Sequence, residues 1–559
     1  MQLPLAGLTW QNLARELTAG VTLLAIAIPL NIGYAQIAGL PATAGLYALI
    51  VPTVVYALAV SSRQVVASPD AAAAALVASS IGGLAVAGSE DYATLAMAQA
   101  IICGVMFVLL SVFRLGFLAN FLSKPILVGF VGGLALDILV SQIAKMLGVH
   151  IDSGGEFVDK VAGLVMGLGT TNLVSLTISV LAVVVLLGGR RLLPAVPWAL
   201  VVLIVATVVV VVADLDDAGV DVLGEVPAGP PVLTWPIIDW TTWLLLIPSA
   251  IALTLVTTAE GLLVSRSYSE KRGYPTDPNR DLFAFGLGNL AAGASGSFAV
   301  GSSTSRTAAM DQAGSRTQLP SLVLAAGTLL LLLFGTALLA DIPSPAIGAI
   351  VGVAILPLLG LRDFAALWRA DRFEFAVGAV CFLVTLFVGA IAGIVVSFVL
   401  ALINLARRAA NPAIDVLRSD GEPGDSLLDP APDGTVTAPG VLVVRLAAPL
   451  FFANGAVFAQ AVKDAVTAAN EAGHGPVRHV VIDMEAVTDV DVTGAESFDA
   501  LVAWLTNAQI ELGFSRVRPD ARLRLRKLGL LGDRATYPTN RAAIAALNPD
   551  DDRTHSGGN

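Results

Sequence analysis

Charge is scarce in this chain. Charged residues make up 13% of its 559 positions and hydrophobic residues 56%, whereas a soluble globular chain carries about 25% charge. With a mean hydropathy of +0.80, the composition is that of a membrane protein. Cysteine and histidine are also few, at two and four. Cys103 and Cys381 both fall in apolar stretches, so no disulfide framework or metal-ligand spacing exists, and neither metal nor cofactor is expected. Acid outnumbers base, giving a net charge of -11, which argues against nucleic acid as a partner. The glycine-rich stretch 286–296 follows no strand and lacks Gly-Lys-Ser, so a nucleotide loop is excluded. No residue constellation points to an enzyme.

What the chain does have is long apolar runs. They fall near 15–36, 43–60, 70–88, 93–112, 121–147, 170–188 and 196–213, and again near 243–265, 281–297, 303–314, 317–340, 344–359, 373–390 and 391–408. That makes about fourteen candidate spans, several shorter than the roughly 20 residues of a simple crossing. Glu16 flanks the first run, and no cleavable signal peptide is expected.

Basic residues sort by loop. Arg63, Arg114 and Lys124, Arg190 and Arg191, Arg266 to Arg280, Arg316, Arg362 to Arg372, and Arg407 and Arg408 occupy alternate connections. The intervening loops hold Glu90 and Asp91, Asp152 and Glu156, Asp214 to Asp217, and Asp341, with Lys145 and Lys160 as exceptions. The positive-inside rule then places both ends of the membrane domain in the cytoplasm. The acidic loop near 214 divides the runs into two groups of about seven, and an odd group forces an inverted repeat whose halves are offset by about 230 residues.

Two polar interruptions occupy matching places in those halves: Ser68-Pro69-Asp70, and Gly301 to Arg306. Each precedes small helix-forming residues, so each predicts a helix starting inside the bilayer, with its free N–H groups and positive dipole end facing an anion. In the first, Ser68 is expected to cap, with Pro69 at the first helical position and Ala71 to Ala75 carrying the helix onward. In the second, Ser302 or Ser303 caps and Arg306 adds a full charge in the first turn. The pair of interruptions marks a transporter site.

Other membrane-depth polar groups invite roles. Glu260 sits mid-run beside Thr257, Thr258 and Gly261, where facing lipid would cost on the order of 3 kcal/mol or more; screened from water, it can carry a proton, or it bonds backbone as a structural residue. Asp137 has Lys145 as its nearest base in sequence, about two helical turns away. Asn31 and Gln36 are candidates for substrate contacts or for interhelical hydrogen bonds.

After Arg408 the patterning changes. A Pro-, Gly- and Asp-rich linker, 411–440, precedes a soluble α/β segment over 441–548, with strands at Val441 to Leu446 and His479 to Met484 and helices near 455–470, 494–507 and 519–530. The polar tail 549–559 reads as disordered.

Several segments resemble the sulfate permease (SulP) family of anion transporters: Ile28-Pro-Leu-Asn-Ile-Gly-Tyr-Ala-Gln-Ile-Ala-Gly-Leu-Pro41 with Ala44 to Tyr47; Asn279 with Gly288-Asn289; Ser303 to Ala308; and Arg316-Thr-Gln318. Asp491-Val-Thr-Gly494 resembles the Asp-x-Ser-Gly of STAS domains. The resemblance implies an all-α polytopic membrane domain over 1–410, a 7+7 inverted repeat with core and gate domains and broken third and tenth helices, joined to a cytoplasmic α/β STAS domain. It further implies an anion held by Tyr34, Ala35, Asp70, Ala71, Ser303, Thr304, Ser305 and Arg306, with Arg306 as countercharge, a homodimer in the cell membrane, and Thr493 as a phosphorylation candidate whose added charge would strain the domain if buried. Asp70 stands either as a residue that favours a helix N-terminus on its own account or as a partner of Arg306 in the empty site. In sodium-coupled relatives a hydroxyl follows the Glu260 position by about one turn; Val264 stands there, so H+ is the expected coupling ion at Glu260. Sulfate is the family default, with bicarbonate, dicarboxylates and anion exchange as alternatives, and a channel-like or sensory protein signalling through the STAS domain as a different class.

Overall fold

The computed structural model describes residues 5, 7–117, 124–151, 156–193, 196–418, 432, 434–473 and 475–548. Asp152, residues 419–431 and 433 of the Pro-rich linker, and the tail 549–559 lie outside them. The chain divides into two compact units, Met1–Ala401 and Leu402–Asn559.

In the first unit the elements are α1 (Leu13–Ile37), α2 (Ala42–Tyr47), α3 (Val51–Ala59), β1 (Ala67–Ser68), α4 (Ala71–Ile81), α5 (Glu90–Val112), α6 (Lys124–Leu147), α7 (Phe157–Gly167), α8 (Leu173–Leu192), α9 (Trp198–Val212) and α10 (Trp240–Arg272). They continue with α11 (Pro278–Ala294), β2 (Gly301–Ser302), α12 (Thr304–Gln312), α13 (Leu319–Phe334), α14 (Ala337–Ala340), α15 (Ser344–Ile355), α16 (Leu361–Ala370) and α17 (Arg372–Phe387), and the division between the units falls within α18 (Ala390–Ala410). Every apolar run contains a helix. Among the described residues six spans are long and apolar enough to cross a membrane, or seven if α7 and α8, bent by 116° at their junction, count as one. The shortfall against the expected number has a physical cause: polar breaks and Pro- or Gly-containing junctions cut the other runs into short pieces such as α4, α9, α12 and α13.

Small residues set the packing. Gly286 and Gly293 of α11 let it lie along α5, where an added Cβ would sit 3.0 Å from the Gly104 carbonyl oxygen or 2.5 Å from that of Met97. Such close approach is how helices associate where lipid removes the hydrophobic driving force. Likewise α1 packs along α13, α6 along α17, and α15 along α8.

Non-helical backbone at membrane depth must find partners inside the protein, and here it does. β1 and β2 pair antiparallel, Ala67 opposite Ser302 and Ser68 opposite Gly301. The Ser303 N–H donates to the Val66 carbonyl at 3.0 Å, and the Val66 N–H to Thr307 Oγ1 at 3.1 Å. Asn289 accepts from the Val300 N–H at 3.0 Å and donates back to its carbonyl at 2.9 Å. Gln318 Nε2 donates to the carbonyls of Ser62 and Val65. The loops feeding the crossing are held by two buried acids. Glu16 accepts from the Ser315 and Thr317 hydroxyls and the Arg316 N–H, while Asp281 accepts from Ser61, Ser265 and the Ser62 N–H.

The second unit holds β3 (Ile414–Val416), β4 (Val441–Leu446), α19 (Gly455–Glu471), β5 (His479–Asp483), α20 (Val492–Asn507), β6 (Glu511–Ser515), α21 (Pro519–Lys527), β7 (Thr536–Tyr537) and α22 (Asn540–Leu547). The sheet order is β3-β4-β5-β6-β7, parallel except for β3 against β4. β3 lies inside the stretch that composition assigns to the linker: three residues flanked by polar sequence carry too little periodicity to be read as a strand. Phe498 stacks between Phe458 and Phe514 at 6.4 and 5.8 Å in the core. The fully buried Asp483 accepts from Arg516 and from Asn540 Nδ2.

Candidate anion site at the crossed half-helices

Both interruptions start helices, and the structure corrects how the first is capped. Asp70, not Ser68, is the N-cap of α4: its Oδ1 accepts from the Ala73 N–H at 2.7 Å. Ser68 is committed to β1 and Pro69 lies outside the helix, because a carboxylate one residue before Ala71 reaches the third free N–H directly, a bond that stabilises a helix start by about 0.5–2 kcal/mol. In α12 the cap is Ser303, whose Oγ faces the Arg306 N–H at 3.4 Å.

Arg306 is fully buried. Its Nε donates to Ser303 Oγ at 2.8 Å, one terminal nitrogen donates to the Pro69 carbonyl, and its guanidinium lies 5.6 Å from the centre of the Tyr34 ring. The side chain thus ties the mouth of α12 to the loop that opens α4. Its other terminal nitrogen, Nη1, has no hydrogen-bond partner, nor do the buried hydroxyls of Ser68, Ser302 and Thr258 nearby in sequence to the break and to Glu260. Unsatisfied buried donors of this kind cost free energy unless something accepts from them.

Arg306 does not pair with Asp311, which is held instead by Lys271 at 2.9 Å, Arg272 at 2.7 Å and Arg316 at 3.5 Å. It forms no ion pair with Asp70 either, whose carboxylate serves its own helix. Asp70 Oδ2 packs against the backbone of β2: a Cβ at Gly301 would lie 2.7 Å from that oxygen and 3.4 Å from Thr257 on α10. Glycine at 301 thus leaves room for the Asp70 carboxylate against β2, which a Cβ there would push aside.

Tyr34, Ser303 and Arg306 meet as buried groups at the crossing; Ala71 is buried at the start of α4 with Asp70 half-buried as its cap, and Ala35 is buried on α1. Thr304 and Ser305 sit on the first turn of α12 with exposed side chains. Glu260 on α10 is half-buried, forms no hydrogen bond or ion pair with a described residue, and has Asp70 as its charged neighbour. Val264, one turn on, is buried and apolar. Asp137 pairs with Lys160 of α7 at 2.8 Å rather than with Lys145, which donates to Gln36 Oε1 at 2.9 Å. Asn31 donates to the Ala27 carbonyl of its own helix. Thr493, second residue of α20, is exposed, so a phosphate there would not be buried; Asp491 caps that helix through the Gly494 N–H at 2.6 Å. No group of metal-binding side chains occurs among the described residues. The orphan hydroxyls and the Pro69 carbonyl were not readable as site groups, since serines carry no periodic signal and a carbonyl none at all.

Comparison with known proteins agrees with this architecture. Residues 13–381 match the sulfate permease family and residues 435–543 the STAS domain. The chain is 34% identical over 538 residues to a protein of Mycobacterium tuberculosis described as a probable sulfate transporter, covering 95% of each. Its fold resembles that of the murine solute carrier 26 family member A9 anion transporter in the inward-facing state, with TM-score 0.87, 20% identity, and 98% and 94% of the two chains covered. It also resembles the transmembrane domain of the cyanobacterial bicarbonate transporter BicA, with TM-score 0.60, 21% identity, and 71% and 98% covered. The chain is a multi-pass membrane protein belonging to the sulfate permease family, with a STAS domain at its C-terminal side.

Proposed function

We propose that this protein is a secondary active transporter that moves sulfate across the cell membrane with protons, by alternating access. The single observation that carries the proposal is Arg306: a fully buried guanidinium with one nitrogen unpartnered, at the meeting point of two half-helix N-termini. Partial positive charge from both helix ends and a full charge from the arginine converge on one point, which suits a small oxyanion and repels a cation. In this reading the anion is held by Tyr34, Ala35, Asp70, Ala71, Ser303, Thr304, Ser305 and Arg306. Sulfate is chosen among small anions because two relatives, each 34% identical to this chain, are described as probable sulfate transporters.

Coupling is assigned to Glu260. It is unpaired, lies beside Asp70, and has no hydroxyl one turn on to complete a sodium site, so a proton is the ion it can hold. The membrane domain, 1–410, is read as fourteen spans in a 7+7 inverted repeat with both termini cytoplasmic, α4 and α12 being its symmetry-related broken helices. The STAS domain supports assembly of a homodimer, and Thr493, exposed at a helix N-terminus where a phosphate is electrostatically favoured, is its candidate regulatory residue.

The test is sulfate uptake into proteoliposomes of the purified protein under an imposed proton gradient and, separately, a sodium gradient. Accumulation that follows the proton gradient is expected. Accumulation that follows only sodium rejects the coupling assignment, and uptake of bicarbonate or a dicarboxylate in place of sulfate rejects the substrate.

A further inference from the structure

A polar cavity of about 210 Å³ is lined by residues of α1, α4, α6, α7 and α17. Its floor is formed by Ala75 and Ala78, one to two turns along α4 from the helix start at Ala71, and by Gln36 at the end of α1; its wall is one face of α6 and the end of α17. None of Asp70, Ser303, Arg306 or Glu260 lines it.

Four charged side chains face it. Lys160 and Asp137 neutralise each other at 2.8 Å, and Glu156 is exposed at the rim. Lys145 is the remaining one: its ammonium has only the Gln36 amide oxygen as a partner at 2.9 Å, with no carboxylate in ion-pair range among the described residues. Beside it, Gln142 is 1% exposed and neither of its amide atoms has a partner; Thr385 is 4% exposed and its hydroxyl has none. Residues carrying an ammonium, an amide and a hydroxyl therefore line one space, with the amide N–H₂, the amide oxygen and the hydroxyl all buried without partners. Groups like these are normally satisfied when buried, and a ligand with acceptor oxygens and negative charge suits the ammonium, the N–H₂ and the hydroxyl.

We propose that this cavity is a capture site for the transported oxyanion, on the side of the membrane to which the acidic loops face, and that α4 links it to the site at Arg306. The proposal rests on the anion-transporter reading and on the orientation adopted above. At 1.5 Å of rise per residue, Ala75 in the cavity lining lies about 6 Å along α4 from the helix start at Ala71.

The experiment uses the full-length protein in sided proteoliposomes and purified in detergent, with sulfate as the probe. Lys145→Gln is expected to raise the half-saturation concentration about tenfold for sulfate presented from the outer face, with the maximal rate and the half-saturation from the inner face unchanged; Lys145→Arg restores the outer value. An unchanged outer value, or an equal rise from both faces, overturns the proposal. A direct measurement separates this from failure of the central site: purified Arg306→Ala protein should retain sulfate binding that is lost in Arg306→Ala/Lys145→Gln and in Arg306→Ala/Gln142→Leu. Absence of that residual binding overturns the outer site even if wild-type uptake is normal. Its presence upholds the outer site even if uptake fails.

Discussion

At the level of single residues, the chain places its rare membrane-depth charges in different situations. Arg306 is anchored but keeps one nitrogen free; Asp70 is spent on capping; Asp137 and Asp311 are neutralised by lysines and arginines; Glu260 alone among these acids has neither a bond nor a countercharge. A carboxyl left without partners in such a place is costly as an anion, which is why we assign it the proton. Glu260→Gln mimics the protonated form permanently, so uptake by this variant should lose its dependence on external pH and on the proton gradient while counterflow exchange persists; an unaltered pH profile would reject the assignment. Much of this was legible in the sequence: Asp70, Glu260 and Arg306 stand out as polar groups in apolar runs. The partners were not. Lys160 meets Asp137 across a helix junction from another element, and nothing in linear spacing favours it over Lys145, which lies nearer in the chain.

The decisive elements are short. β1 and β2 have two residues each, yet they join segments more than 200 positions apart and satisfy backbone groups that the bilayer cannot. Sequence patterning located both breaks through their serines, prolines and glycines. It misassigned the first cap, because Ser68 and Asp70 are both good caps and only the tertiary pairing with Gly301 takes Ser68 away. Gly301 also leaves the space in which the Asp70 carboxylate sits. A methyl group there would press on Asp70 Oδ2 at 2.7 Å and on Thr257, strain of about 1–3 kcal/mol that must be relieved by moving the mouth of α4. Gly301→Ala should therefore reduce uptake more than tenfold while lowering thermal stability only slightly; wild-type uptake by that variant would show that the breaks need not touch. In the soluble unit, β4, β5 and the three central helices are legible from their periodicity, whereas β3, β6, β7 and α22 are too short or too polar to declare themselves.

For the whole molecule, the orientation we propose rests on the distribution of basic residues. In that orientation the loop after α9 is outside and the turn after α10 inside. Native Cys103 and Cys381 are both buried, so a single introduced cysteine reports cleanly. Ala218→Cys should react with a membrane-impermeant maleimide in intact cells, and Glu270→Cys only after permeabilisation. The reverse pattern would invert the protein and turn the outer cavity into an inner one. The membrane character, the two-part organisation and the family follow from composition and motifs spread along the chain. The number of complete crossings does not, since helices broken at Ser68, Ser303 and the bend between α7 and α8 blur the relation between apolar length and span.

The central claim is that the buried guanidinium between the two half-helix starts binds the transported anion. The most direct test is sulfate uptake by Arg306→Ala in proteoliposomes, alongside wild type and with thermal unfolding of both proteins as a control on folding. Loss of one charge-assisted contact of about 1.5–3 kcal/mol, together with the charge itself, predicts uptake reduced at least tenfold with the unfolding transition preserved. Wild-type uptake by a folded Arg306→Ala protein would contradict the account.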